Sequence, residues 1–336
     1  MKKTQQLLSE LPFFCHEFFR GIENQTTALT QFNYAQDLKI FFNFLIEEIL
    51  EFNHINNIKD IKISDLEKLT ATHIEIFLNY LSGYYIGEKL FTNNEKGKAR
   101  KLAAIRSFLK YFYKKEKISQ NVASKIETPK IHEKEIIRLE VDEVVKLLNQ
   151  TENPINFTKR QTSYNKITQK RDIAILTLLL GTGIRVSECV GINLEDINFE
   201  VNGFKITRKG GNEVVLYFSN ETAIALQNYL EERQKNINIP EDERALFLSL
   251  QNKRISVRAV EKLVKKYSQS SVPLKNITPH KLRSTYGTNL YRETKDIYIV
   301  ADVLGHKDVN TTRKHYAAIS EDVRRDVANK VKLRDD

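Results

Sequence analysis

The sequence predicts a mainly α protein with a small antiparallel three-stranded sheet, split into two domains. Three observations carry this reading. Apolar residues recur at helical spacing through roughly the first 120 residues. A polar stretch with no sustained period follows, around Pro129. Further on, Asn202-Gly203 and Gly210-Gly211 separate three short β-prone runs. The chain of 336 residues is also longer than one compact core usually holds. The expected limits are 1–127 for a helical domain, 128–138 for a linker and 139–336 for a second domain of α+β type.

The elements follow in order. FNYAQDLKIFFNFLIEEILEF puts Tyr34, Leu38, Phe41 or Phe42, Leu45 and Ile49 on one helical stripe. Ser64 with Glu67 forms a capping-box pattern, Thr70 or Thr72 can start the next helix, and Gly83 is expected to end it. The helix of NNEKGKARKLAAIRSFLKYFYKKEK has an apolar face of Leu102, Ile105, Leu109 and Phe112. Its remainder is basic, and no acid falls between Glu95 and Glu116 to offset the charge. Phosphate contact by Lys98, Arg100, Lys101 and Arg106 is therefore expected, with Lys110 and Lys114 on the same helix. RLEVDEVVKLLNQ then resumes a helix, TENPINFTKRQTSYNKITQ reads as a polar loop, and KRDIAILTLLL as a buried helix stopping at Gly181. INFEV, FKITRK and EVVLYF form the expected meander, after which the chain reads as helix to near its end.

Composition narrows the functional classes. Hydrophobic residues make up 41% and charged residues 29%, as in a globular protein. No apolar run approaches the ~18–20 residues that span a bilayer, so no membrane partner is expected. The opening MKKTQQLLSELPFFCHEFF carries Glu10, Pro12 and Glu17, and a cleaved leader is not expected. Cys15 and Cys189 belong to no CxxC pair or Cys/His cluster, which fits reduced thiols in a cytoplasmic protein with no zinc site. A net charge of +10 suits a polyanionic partner, most often nucleic acid.

Four local motifs carry chemistry. In GTGIRVSE, Arg185 and Glu188 open a short helix directly after a buried one, so a partly buried pair with a task is expected. Taken alone, the pair fits a structural ion pair equally well. In TRKGGNEVVLYF, Lys209 ends a strand before a glycine turn, where an isolated lysine is usually only solvated. In ITPHKLRSTYGTNL, Thr278 suits the N-cap and Pro279 the first helical position. His280 and Arg283 then share one face at a helix N-terminus, where a phosphate is favoured. In VLGHKDVNTTRKHY, His306 precedes Tyr316 by ten residues.

The order Arg, Lys, His-x-x-Arg, Gly-His, Tyr resembles the tyrosine recombinase (phage integrase-like) family, and within it the Xer-type enzymes. The resemblance is strong over about residues 165–320 and looser over 20–120, which would be the family's core-binding domain. It implies a two-domain DNA clamp in which a helical DNA-binding domain and a catalytic domain embrace the duplex. It implies that Arg185 and Arg283 hold the scissile phosphate, that Lys209, His280 and His306 assist, and that Tyr316 is the nucleophile. Glu188 is expected to orient these groups rather than act as a base, and His315 is given no catalytic role. RKHYAAI departs from many relatives around the tyrosine, which bears on local packing.

The chemistry suits the residues. Two guanidinium forks stay charged and match the oxygens of a pentacoordinate phosphate. No carboxylate triad or GxxxxGK[ST] loop is present, so neither metal nor nucleotide cofactor is expected. The resemblance implies double-stranded DNA with an inverted-repeat core site, a homo-tetramer on two such sites and nucleoid association. A DNA translocase or second recombinase is a further candidate partner. The role it favours is resolution of chromosome dimers at cell division, because no extra arm-binding domain precedes residue 20. Integration and excision of a mobile element is the alternative. A type IB topoisomerase and a silent DNA-binding protein are the more distant rivals. Val323, Val327 and Val331 form a narrow apolar stripe on an otherwise charged terminal segment, expected to dock on a neighbouring subunit. Deleting residues 321–336 is expected to spare DNA binding in gel shifts and to abolish recombination of a two-site plasmid; normal recombination would overturn the idea.

Overall fold

The computed structural model describes residues 2–131, 137–155, 157–208, 210–306 and 308–310. It divides into two compact units, Met1–Lys134 and Glu135–Asp336, each with its own apolar core.

The first unit contains α1 (Lys2–Leu8), α2 (Cys15–Gly21), α3 (Ala28–Glu48), α4 (Ala71–Tyr80), the strands β1 (Tyr84–Ile86) and β2 (Lys89–Phe91), and α5 (Glu95–Lys114). The central helix α3 begins where Thr27 accepts a hydrogen bond from the Thr30 amide. The expected stripe along it is too narrow: Phe41, Phe42 and Phe44 are all fully buried. Phe42 meets Phe108 of α5 and Phe44 meets Phe77 of α4, so α3 is packed on more than one side.

Three local expectations change. Thr70, not Thr72, caps α4, accepting from the His73 amide, and the helix ends at Tyr80, before Gly83. Glu67 does not form a box with Ser64; it accepts from the amide and hydroxyl of Ser119, and Asp65 caps its turn instead. A region read as wholly helical also contains the antiparallel hairpin β1–β2. Gly87, at φ +60°, takes the first of its two turn positions, where a type II′ turn asks for glycine.

The buried Asp37 of α3 ties that helix to α5. Its carboxylate accepts from Arg100 and lies 3.5 Å from the Lys101 ammonium. Burial raises the Asp37 carboxyl in spite of both cations, and burial lowers Lys101. For Asp37 and Lys101, burial thus opposes the charged forms more than the nearby opposite charges favour them.

The second unit contains α6 (Val141–Glu152), α7 (Lys159–Thr182), α8 (Val186–Gly191), β3 (Ile197–Asn198), β4 (Gly203–Thr207), β5 (Glu213–Tyr217), α9 (Asn220–Gln234), α10 (Val257–Ser271), α11 (Pro279–Thr294) and α12 (Ile297–Leu304). The expected meander is present, antiparallel in the order β3-β4-β5, with Phe204 opposite Leu216 and Ile206 opposite Val214. Asn202 turns at φ +50° before β4, and Gly210 and Gly211 turn at positive φ before β5.

Two differences matter in this unit. From Lys159 onward the stretch read as a polar loop is instead the first half of α7, started by a reciprocal cap between Thr158 and Gln161. It lacked an apolar period because its buried face is polar. The Tyr267 hydroxyl of α10 lies between Asn165 Oδ1 (2.5 Å) and Asp172 Oδ2 (2.9 Å), and Thr168 donates to Asp172. The helix ends at Thr182, not Gly181, with Gly183 at φ +62° as its left-handed cap. The other difference is residues 235–256, which are not helical; they return to the fold through bridges pairing Asn193 with Ala245 and Leu248 with Arg254.

Cys15 and Cys189 are buried free thiols, and burial pushes Cys189 up to about 12. No helix of the described residues is long and apolar enough to cross a membrane.

Asp37→Ala leaves Lys101 buried without its counter-charge and is expected to cost roughly 3 kcal/mol in urea unfolding. Adding Lys101→Met should recover most of that loss; if it does not, the trio is not the cause.

Candidate active site

The site is built on the C-terminal end of α12. This short helix leaves its last carbonyls without partners inside the helix, as every helix does. Asp302 O accepts from Arg208 Nη1 (3.2 Å) and Val303 O from Arg208 Nη2 (2.7 Å). Leu304 O accepts from Arg283 Nη2, and Gly305 O from Arg185 Nη2 (3.2 Å). Four successive carbonyls thus receive three arginines from three different elements. The negative end of the helix dipole favours cations at this place.

Each arginine has a second anchor or a defined approach. Arg283 stands on the first turn of α11, where Pro279 is the first residue and Thr278 holds the N-cap position without its hydroxyl capping. Its guanidinium is buried, and Nη1 donates to Gly183 O (2.6 Å) at the end of α7. Arg185 is the N-cap of α8. Its amide donates to Glu188 Oε2 (2.8 Å) and its Nη1 to Glu188 Oε1 (2.7 Å). Glu188 is buried, while the Arg185 side chain stays 37% exposed. The carboxylate therefore both caps the helix and aims the fork outward.

The glycines make these contacts possible. Gly183 and Gly305 both have φ +62°, which turns their carbonyls away from the helices they end. A Cβ on Gly305 would fall on the Arg208 guanidinium, and one on Gly183 on Tyr286 and Leu304.

Arg185, Arg208, Gly210, Asn212, Gly305 and His306 line a cleft of about 730 Å³. The His306 amide donates to Ala301 O (2.9 Å), which fixes the chain just past Gly305. The structure thus brings Arg185, Arg283 and His306 around one helix end, with Glu188 behind Arg185. His280 is exposed on the first turn of α11, three residues before Arg283. Lys209 and Tyr316 lie outside the described residues, as does the terminal segment carrying Val323, Val327 and Val331. Among the late tyrosines, Tyr286 packs against Val300 and Leu304, and burial raises its phenol. Such a group stays protonated and suits a packing role.

Sequence reasoning missed Arg208, which looked like an ordinary strand-end cation beside Lys209. It also missed that the partners of the arginines are backbone carbonyls, since carbonyls leave no mark in a sequence.

The basic helix α5 differs from its expected role at two positions. Lys101 is 5% exposed and donates to Asn93 Oδ1 (3.0 Å) beside Asp37, so it does not face solvent. Arg106 ties down the chain that follows, donating to Ala123 O, Ile126 O and Thr128 Oγ1. Arg100 keeps about half its side chain exposed while bonded to Asp37, and Lys98 reaches Ser82 Oγ (2.7 Å). Lys110 and Lys114 are exposed on the same helix.

Glu188→Gln leaves one of its two donors, the Arg185 amide or guanidinium, facing an amide N–H group. It is expected to cost about 1–3 kcal/mol in denaturant unfolding, whereas an exchange at the exposed Glu195 should change little. Equal stability of the two variants would show that Glu188 does not hold Arg185.

Comparison with known proteins agrees with this geometry. Residues 137–322 match the phage integrase family, and this span includes Arg185, Lys209, His280, Arg283, His306 and Tyr316. Tyrosine recombinase XerC of Caldanaerobacter subterraneus subsp. tengcongensis is 34% identical over 88% of this chain and 80% of its own. Tyrosine recombinase XerS of Streptococcus thermophilus is 31% identical over 93% of both. Among solved structures, the fold is similar to that of a XerH site-specific recombinase bound to palindromic difH substrate, with TM-score 0.65 and 18% identity over 89% of this chain and 79% of that one. It is also similar to the Tn1549 transposon integrase in complex with circular intermediate DNA, with TM-score 0.62 and 17% identity over 91% and 95%. A lambda integrase tetramer bound to a Holliday junction gives TM-score 0.59 and 15% identity over 90% and 76%. With the match spanning more than half the chain and curated relatives alike over nearly all of it, the protein belongs to the phage integrase family and is a tyrosine recombinase, an enzyme of DNA strand exchange.

Proposed function

We propose that the protein cuts and rejoins double-stranded DNA at an inverted-repeat site through a 3′-phosphotyrosyl bond to Tyr316, in Xer-like resolution of chromosome dimers. The observation that carries the chemical part is the pairing of Arg283 and Arg185 on the adjacent carbonyls of Leu304 and Gly305. Two fixed cationic forks on adjacent carbonyls, one lining a cleft and one buried, suit a phosphate whose non-bridging oxygens gain charge in the transition state. Because they are held by backbone carbonyls and, for Arg185, by the buried Glu188, little reorganisation is needed when the charge develops.

The steps follow. Tyr316 Oη attacks phosphorus, and its proton passes to His280. The bond from phosphorus to the 5′-oxygen breaks, and Lys209 protonates that oxygen. His306 donates to a phosphate oxygen, and Glu188 holds Arg185 in line. The phosphotyrosyl bond conserves the energy of the broken linkage, so the 5′-hydroxyl of a second strand reverses the attack without nucleotide hydrolysis. Lys98, Arg100, Lys110 and Lys114 of the first unit contact phosphates. Four copies act on two sites, a reading the lambda integrase tetramer supports by its fold. The likeness to XerC and XerS over most of their length supports the housekeeping role, which places the protein on the nucleoid in the cytoplasm, alone or with a second recombinase or a translocase.

Capture of covalent protein–DNA adducts across the host genome tests this, with Tyr316→Phe as control. Adducts concentrated at one site near the replication terminus, and lost in the control, are expected. Adducts at the ends of a mobile element would replace the housekeeping role with integration. Scattered adducts would point to topoisomerase-like action, and none at all would overturn the mechanism.

A further inference from the structure

We infer that Arg208 is a positioning residue that registers the loop carrying Lys209 to the helix end holding Arg185 and Arg283. The inference rests on the reading of Lys209 as the proton donor. Arg208 closes the base of that loop with its own backbone: its amide donates to Asn212 O (2.8 Å), and its carbonyl accepts from the Gly211 amide (3.0 Å). Its side chain reaches away from the sheet to Asp302 O and Val303 O on α12. One residue therefore ends a strand, opens the loop and grips the helix on which the phosphate-facing arginines meet.

The loop needs such an anchor. Gly210 and Gly211 lie at φ +102° and +84°, conformations that glycine enters and leaves easily. Lys209 is the next residue after Arg208 in the sequence, inside the loop that these hydrogen bonds close. The contact also depends on the fork. Two N–H groups span two successive carbonyls, which a lysine ammonium does not match in shape. The Arg208 Nε–H is buried with no partner among the described residues, so this fork is not arranged to satisfy every donor. Space for it depends on Gly305 lacking a Cβ.

A substrate change separates this role from general support of the site. When the bridging 5′-oxygen at the scissile phosphate is replaced by sulfur, the leaving thiolate needs no proton, and Lys209 becomes dispensable. Arg208→Gln is expected to slow single-turnover cleavage of ordinary DNA by on the order of 100-fold, and to cleave the sulfur substrate within about threefold of the wild-type rate. Arg208→Lys, which keeps the charge, should show the same pattern with a smaller loss, and both variants should melt cooperatively. Lys209→Ala should be rescued by sulfur as well. If Lys209→Ala is rescued but Arg208→Gln and Arg208→Lys are slow on both substrates, Arg208 acts on the phosphate arginines or the fold, and the inference is overturned. If Lys209→Ala is not rescued, the proton-donor reading fails and takes this inference with it. If the wild type yields no tyrosyl adduct on either substrate, the proposed mechanism itself has failed, and the inference falls with it.

Discussion

The last turn of α12 offers carbonyl oxygens to three arginines, and the arrangement of the site depends on that exchange. A guanidinium is a poor guest in a protein interior unless its donors are met. Here the donors are met by oxygens that the helix itself leaves over. Arg283 is the most buried of the three and joins two helix ends, since Gly183 O closes α7 and Leu304 O closes α12. Arg185 is the most tightly aimed, with Glu188 on one side and Gly305 O on the other. A carboxylate partner alone would neutralise such a cation, while carbonyl partners hold its direction and leave its charge largely intact.

The same exchange explains the glycines. Both helix ends close in the left-handed conformation, and each glycine sits against a side chain that a methyl group would displace. The conformation points the carbonyls outward, and the missing Cβ leaves room for the guanidinium of Arg208 and the ring of Tyr286. Backbone shape and side-chain chemistry are thus set by one pair of residues.

Much of this was legible in the sequence, for definite reasons. The meander announced itself through Asn202-Gly203 and Gly210-Gly211, because positive φ demands those residue types. Arg185, His280, Arg283 and His306 were legible through their order in the chain, which resembles that of a known family, each motif being weak by itself. What stayed hidden involved buried polarity. The first half of α7 looked like a loop because Asn165, Thr168 and Asp172 are buried through hydrogen bonds, which no apolar period reports. Lys101 looked like a phosphate ligand because its partner Asp37 lies 64 residues away in the chain. Phe44 fell off the expected stripe because packing around α3 is a tertiary fact.

The polar contact between α7 and α10 has a consequence for the far end of α7. Apolar packing tolerates small rotations of a helix about its axis, but directed hydrogen bonds do not. A slip of one residue would turn α7 by about 100° and carry Asn165 and Asp172 away from the Tyr267 hydroxyl. The seam therefore sets the rotational phase of the whole helix. At Gly183, eleven residues beyond Asp172, that phase decides where the carbonyl points, and so whether Arg283 finds it. Indexing of this kind lets the Tyr267 hydroxyl of a neighbouring helix govern the azimuth of Arg283 without touching it.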